Sequence, residues 1–118
     1  MDISHLHLHV RDRRTASEFY RRWFGLAVSR EDDAITFLTG SAGFLLALME
    51  DAAPEPAPAW FHFGIRLPSR DAVRDLHARM QRERVPLAKP LYEDATFMSF
   101  RCTDPEGYAV EVYWEDLP

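Results

Sequence analysis

The chain has 118 residues, 47% of them hydrophobic, which suits one globular domain and supplies too little apolar material for two independent cores. Its net charge is −5, and the 14 basic residues, all arginine except Lys89, lie scattered among 19 acidic ones. No basic stripe for nucleic acid exists, and no apolar run approaches the ~20 residues of a membrane span.

Met1-Asp2-Ile3-Ser4-His5 carries neither the basic nor the apolar segment of a secretion signal. From Ser4 to Val10 the chain alternates, with Leu6, Leu8 and Val10 on one parity, and this predicts a half-buried strand. Thr15 and Glu18 form a capping-box pattern. Ala16, Phe19, Tyr20, Trp23 and Phe24 then recur at helical spacing as far as a stop at Gly25. Strands are expected near 26–30 and 33–38 and, after a turn over 39–43, from Phe44 to Met49. Residues 51–59 form a Pro/Ala linker with no periodicity.

After the linker the pattern restarts. Phe61, Phe63, Ile65 and Leu67 share one parity of a strand over 60–67. Pro68-Ser69 opens a helix whose buried stripe is Val73, Leu76 and Met80. Strands follow near 86–92, 96–102 and 108–114, the last two joined by Thr103-Asp104-Pro105-Glu106-Gly107. Cys102 alternates with Phe100 and is expected to be a buried structural thiol. As the lone cysteine it allows no intrachain disulfide, so a cytoplasmic location is expected.

A shift of 57 positions lays His5 on His62, Leu8 on Ile65, Asp12 on Ser69, Ala16 on Val73 and Trp23 on Met80. One register matches a strand, a helix cap and a helix stripe together, which points to duplication. The expected architecture is α+β: one domain over 1–118, with a βαβββ unit over 1–50, the linker over 51–59 and a second βαβββ unit over 60–118.

Alternate residues of a strand point to opposite faces. If Leu6, Leu8 and Val10 face the helices, His5, His7 and His9 face away from them. The same parity leaves His62, Gly64 and Arg66 on the open face of the fifth strand, and Glu111 and Tyr113 on that of the last. Two imidazoles and a carboxylate, brought into one cleft by a curved sheet, suit an open catalytic site for one divalent ion, with Fe, Mn, Ni, Co and Zn all compatible. His9 lies ~13 Å from His5 along a straight strand and is read as a rim residue. His7, at ~7 Å, is a ligand in place of His5, a proton-transfer group above the metal, or a plain surface residue. His77, on the second helix, is read as structural or solvent-facing. Aligning Gly43 with Gly107 puts Ala47, which cannot ligate, where the second unit has Glu111.

Three stretches carry a resemblance: His5-Leu6-His7-Leu8-His9-Val10-Arg11-Asp12, the helix end Phe19-Tyr20 to Phe24-Gly25-Leu26, and Asp104-Pro105-Glu106-Gly107-Tyr108-Ala109-Val110-Glu111. Together they resemble the vicinal oxygen chelate superfamily of glyoxalase I, extradiol dioxygenases, fosfomycin-resistance enzymes and bleomycin-resistance proteins. The resemblance implies paired βαβββ units in a cupped mixed sheet with helices on its convex face. It also implies a homodimer, and a metal held by His5, His62 and Glu111. Glyoxalase I adds a carboxylate where Ala47 stands, so its activity is less expected here than dioxygenase-like chemistry.

The first functional expectation is therefore a metal-dependent enzyme acting on a small oxygen-chelating molecule, with His7 or Tyr113 assisting proton transfer. Arg101 shares the open parity and either holds an anionic substrate group or balances an acidic surface. The alternative is a metal-free, bleomycin-resistance-like dimer that sequesters an aromatic compound against Trp60, Phe97 and Tyr113.

Overall fold

Asp12 and Ser69 start the two helices. In the computed structural model, which describes residues 1–117, β1 (His5–Val10) leads into α1 (Arg13–Phe24), and three strands follow, β2 (Ala27–Glu31), β3 (Ile35–Thr39) and β4 (Leu45–Glu50). The order then repeats with β5 (His62–Arg66), α2 (Arg70–Arg82), β6 (Leu87–Glu93), β7 (Phe97–Thr103) and β8 (Ala109–Glu115). The first helix begins earlier than its capping-box pattern suggests. The Asp12 carboxylate accepts the Thr15 backbone N–H at 3.1 Å and the Thr15 hydroxyl at 2.8 Å, so Thr15 already lies inside α1. Ser69 Oγ accepts the Ala72 N–H at 3.0 Å. Gly25 closes α1 at φ 67°, a left-handed conformation that any Cβ would strain.

Two units result, with their boundary between Pro56 and Ala57. That point lies inside the Pro/Ala segment, which carries no helix or strand. In the first unit the strand order is β1-β4-β3-β2, with β1 parallel to β4 and the remaining pairs antiparallel. The second unit repeats this as β5-β8-β7-β6. The fold is thus α+β, built from two βαβββ units that each form a mixed four-stranded sheet.

The expected parities fill the cores. In the first unit Leu8, Val10, Leu38 and Leu48 are buried with Ala16, Tyr20 and Trp23 of α1. In the second, Met98, Phe100, Val110 and Val112 are buried with Val73, Leu76 and Met80 of α2. The His77 ring meets Phe100 edge-on at 5.0 Å, so this histidine serves packing. Each unit carries a buried helix–sheet layer of its own.

A polar repeat accompanies the apolar one. Arg13 and Arg70 open their helices 57 positions apart, and each clamps the hairpin turn opposite. Arg13 donates to the carbonyls of Asp32 and Asp33 at 2.9 and 3.0 Å, and Arg70 to the carbonyl of Ala95. Within those turns, the Asp32 carboxylate accepts the N–H groups of Ala34 and Ile35, and that of Asp94 accepts the Thr96 N–H. These hydrogen bonds hold both carboxyls below their ordinary range. Pro90 is tolerated because β6 is an edge strand with two register shifts.

Cys102 is fully buried, and loss of solvation raises its thiol from 9.0 to about 12. It should resist thiol reagents in the native protein and react fully once unfolded. Because its folded value lies above the unfolded one, its contribution to stability is complete below pH 9.0 and fades as pH climbs toward about 12. Cys102→Ala should flatten that part of a pH–stability curve; an unchanged slope would contradict the assignment.

Candidate functional site

Strand register aligns Gly64, Glu111 and Arg101 side by side across β5, β8 and β7, and Lys89 continues the row on β6. Glu111 and Arg101 lie on the parity opposite the buried Val110, Val112, Phe100 and Cys102. His62 precedes Gly64 by two and shares its face. The His62 ring is oriented by the backbone before its own strand, with Nδ1 3.1 Å from the Trp60 carbonyl oxygen. A carbonyl only accepts, so Nδ1 carries the proton and Nε2 presents a lone pair. Arg101 Nη2, a pure donor, sits 3.2 Å from that Nε2. On its other side the Arg101 Nε lies 3.8 Å from Glu111 Oε2, too far to hydrogen-bond, and this buried N–H has no hydrogen-bond partner. One guanidinium therefore faces both an imidazole lone pair and a carboxylate.

Beside this pair an aromatic wall rises. Phe97 is 6.2 Å from Tyr113 and 6.3 Å from Tyr92, ring centre to ring centre. The Tyr113 ring extends over β5 because residue 64 has no side chain; a Cβ there would lie 3.0 Å from Tyr113 Cε1. The Tyr92 hydroxyl donates to the Asp94 carboxylate at 2.9 Å, which raises the phenol's pKa. A groove of about 400 Å³ is bounded by Tyr92, Phe97, Ser99 and the charged Lys89, Arg101 and Glu111.

The remaining candidates fall elsewhere. Trp60 stands in the turn ahead of β5, 74% exposed, with its ring 6.4 Å from Phe61 and outside the groove's lining. His5 and His7 belong to the first unit, where β1 presents both to solvent. Ser4 Oγ lies 3.4 Å from His5 Nδ1. The His7 ring is 5.0 Å from that of His9. His9 Nδ1 in turn meets Asp51 Oδ2 at 2.9 Å and, with the Ala53 N–H, holds the Asp51 carboxyl below its ordinary range. Ala47 pairs with His7 in the same way that Glu111 pairs with Gly64, and residues 7 and 64 are themselves 57 apart. The register thus places Ala47 and Glu111 at equivalent points of the repeat.

The model of the Glyoxalase/Bleomycin resistance protein/Dioxygenase superfamily matches residues 2–112. The chain belongs to this superfamily. Among solved structures, a possible glyoxalase from Bacillus cereus is 30% identical, with a TM-score of 0.84 over 95% of this chain and 97% of that one. A genomically encoded fosfomycin resistance protein from Listeria monocytogenes shares the fold at 19% identity and TM-score 0.82, over 99% of this chain and 95% of its own. So does a lactoylglutathione lyase from Agrobacterium tumefaciens, at 22% identity and TM-score 0.77, over 96% and 92%. A search of curated proteins returned no match.

Superfamily members bind small molecules, often with a divalent metal. Among the described residues no group of three or more His, Cys, Asp and Glu side chains is clustered to hold an ion, and no helix is long and apolar enough to cross a membrane. Two donors of the second unit nevertheless fit a cation, since His62 and Glu111 converge on the positive charge of Arg101. Lys89, Tyr92 and Gly64 were not singled out as site residues from sequence. Lys89, the only lysine, carried a signal in its rarity; Tyr92 and Gly64 carried none, because bulges in β6 and a cross-strand ring contact placed them.

Proposed function

We propose that this superfamily member is a metal-dependent enzyme for a small oxygen-chelating substrate, with His5, His62 and Glu111 as the ligands of one divalent ion. One observation supports the reading: the His62 Nδ1–H is anchored on a backbone carbonyl, which presents the Nε2 lone pair to the same guanidinium that faces the Glu111 carboxylate. When bound, the metal supplies Lewis-acid stabilisation of a substrate oxyanion. The chain's own residues do the rest. Lys89 and Arg101 bind anionic oxygens, while Phe97 and Tyr113 stack on the ligand and exclude water. Tyr113 Oη, or a ring nitrogen of His7, moves the proton. Alanine at position 47, opposite His7, favours oxygen-dependent chemistry over the glyoxalase I reaction. A cytoplasmic homodimer is part of the same proposal.

A second reading draws on the guanidinium between the two donors and the Tyr92–Phe97–Tyr113 wall: a metal-free protein that sequesters an aromatic molecule. Purified protein should take up Fe, Mn, Ni, Co or Zn. The loaded protein should consume oxygen with catechols in preference to isomerising thiohemiacetals. Uptake of none of the five ions, with retained binding of aromatic ligands, would replace the enzyme by the sequestering protein.

A further inference from the structure

Arg101 holds a position that its own contacts do not justify. Its Nη2 donates to His62 Nε2 at 3.2 Å, and its charge stands 3.8 Å from Glu111 through an Nε that is buried without a hydrogen-bond partner. An arginine seated to satisfy a carboxylate normally forms a two-pronged pair at hydrogen-bond distance. Here the seat spends one donor on an imidazole and leaves another unsatisfied, which is a costly arrangement for a group so well buried. The imidazole and carboxylate benefit instead. Through Arg101 a lone pair and a negative charge share one cation.

The groove bordered by Lys89, Phe97 and Ser99 gives the head somewhere to go. Arg101 and Glu111 are each about one-fifth exposed, with side-chain exposures of 18% and 21%, on the side that opens into it. Four rotatable bonds let the guanidinium turn outward without backbone movement.

We propose that the Arg101 guanidinium is an internal stand-in cation, which occupies the His62–Glu111 donors and exchanges with a divalent metal ion. The inference rests on the reading of His62 and Glu111 as metal donors. Divalent ion and guanidinium exclude one another, because both require the Nε2 lone pair and both are positive. Arg101 thereby sets the affinity of the site and suppresses binding of weakly held ions. Displacement by metal turns its free N–H groups toward the groove.

Isothermal titration of Co²⁺ and Ni²⁺ into wild type and Arg101→Gln tests this. The neutral variant should bind at least about 10-fold tighter, a discounted share of the full Coulomb repulsion because the site is partly open to water. Adding His62→Ala should abolish the gain. In wild type, Zn²⁺-free and Zn²⁺-loaded samples should differ in the Arg101 Nε–H resonance, assigned by through-bond correlation to its own backbone, and this measurement decides the matter even if the variant fails to fold. Equal or weaker binding by Arg101→Gln, or an unmoved resonance on metal binding, overturns the inference and leaves the metal enzyme standing. Binding by the variant alone overturns the exchange, because the wild-type guanidinium then never yields its place, and removes the resident metal of the wild type. No binding by either overturns both.

Discussion

His62→Ala and Glu111→Ala are each expected to lower divalent-ion affinity by at least about 100-fold, since loss of an outer partner of a metal ligand alone costs roughly 10- to 100-fold. Neither change should unfold the protein. His62 is an exposed strand residue, and its ring meets the Trp60 carbonyl and Arg101. Glu111 is ion-paired at 3.8 Å rather than hydrogen-bonded within the second unit. Glu111→Gln separates charge from shape, because the amide keeps the volume and one acceptor but cannot neutralise an ion. It should approach the alanine variant in affinity and the wild type in stability. Titration calorimetry with circular dichroism as a folding control measures both. A wild-type affinity that survives all three substitutions would mean the metal, if bound, is held elsewhere.

Gly64→Val should destabilise the second unit, although valine suits a strand far better than glycine does. The gain in strand preference is at most ~1 kcal/mol. Against it stands a Cβ 3.0 Å from Tyr113 Cε1, with two further methyls beyond it. Overpacking of this kind costs ~1–3 kcal/mol, so the steric term wins or the ring moves. Tyr113 is only half-buried, and its simplest escape is to tilt away from β5, which breaks its contact with Phe97 at 6.2 Å. Thermal unfolding should therefore shift downward and the Tyr113 and Phe97 ring resonances should move together. In a Tyr113→Ala background the penalty should vanish, and valine should become neutral or stabilising. If the double variant suffers the same loss as Gly64→Val alone, the ring is not the obstacle. Binding of aromatic ligands should weaken in Gly64→Val because the tilt separates the Phe97 and Tyr113 rings.

Much of the frame was legible from residue order alone. Alternation in Leu6, Leu8 and Val10, and again in Val110 and Val112, assigned the buried face of β1 and β8 before any coordinates, because a strand has only two faces and water selects between them. Apolar spacing did the same for α1 and α2, and the 57-residue shift exposed the repeat. The same parities put His62, Glu111, Arg101, Tyr113 and Phe97 on one open face. Helix starts were less secure. The Thr15–Glu18 pattern competed with Asp12, and the residue whose carboxylate reached the Thr15 N–H and hydroxyl prevailed.

What sequence could not supply was which polar atoms meet. Hydrophobic burial is periodic and non-directional, so it leaves a pattern along the chain; a hydrogen bond depends on rotamers and on register between strands distant in sequence. Only the tertiary structure seated the Arg101 guanidinium against His62 Nε2 and 3.8 Å from Glu111. It alone laid Tyr113 across Gly64 and tied Arg13 and Arg70 to their turns. Residue order named the donors of the candidate site; packing across β5, β8 and β7 determined that a positive charge already stands between two of them.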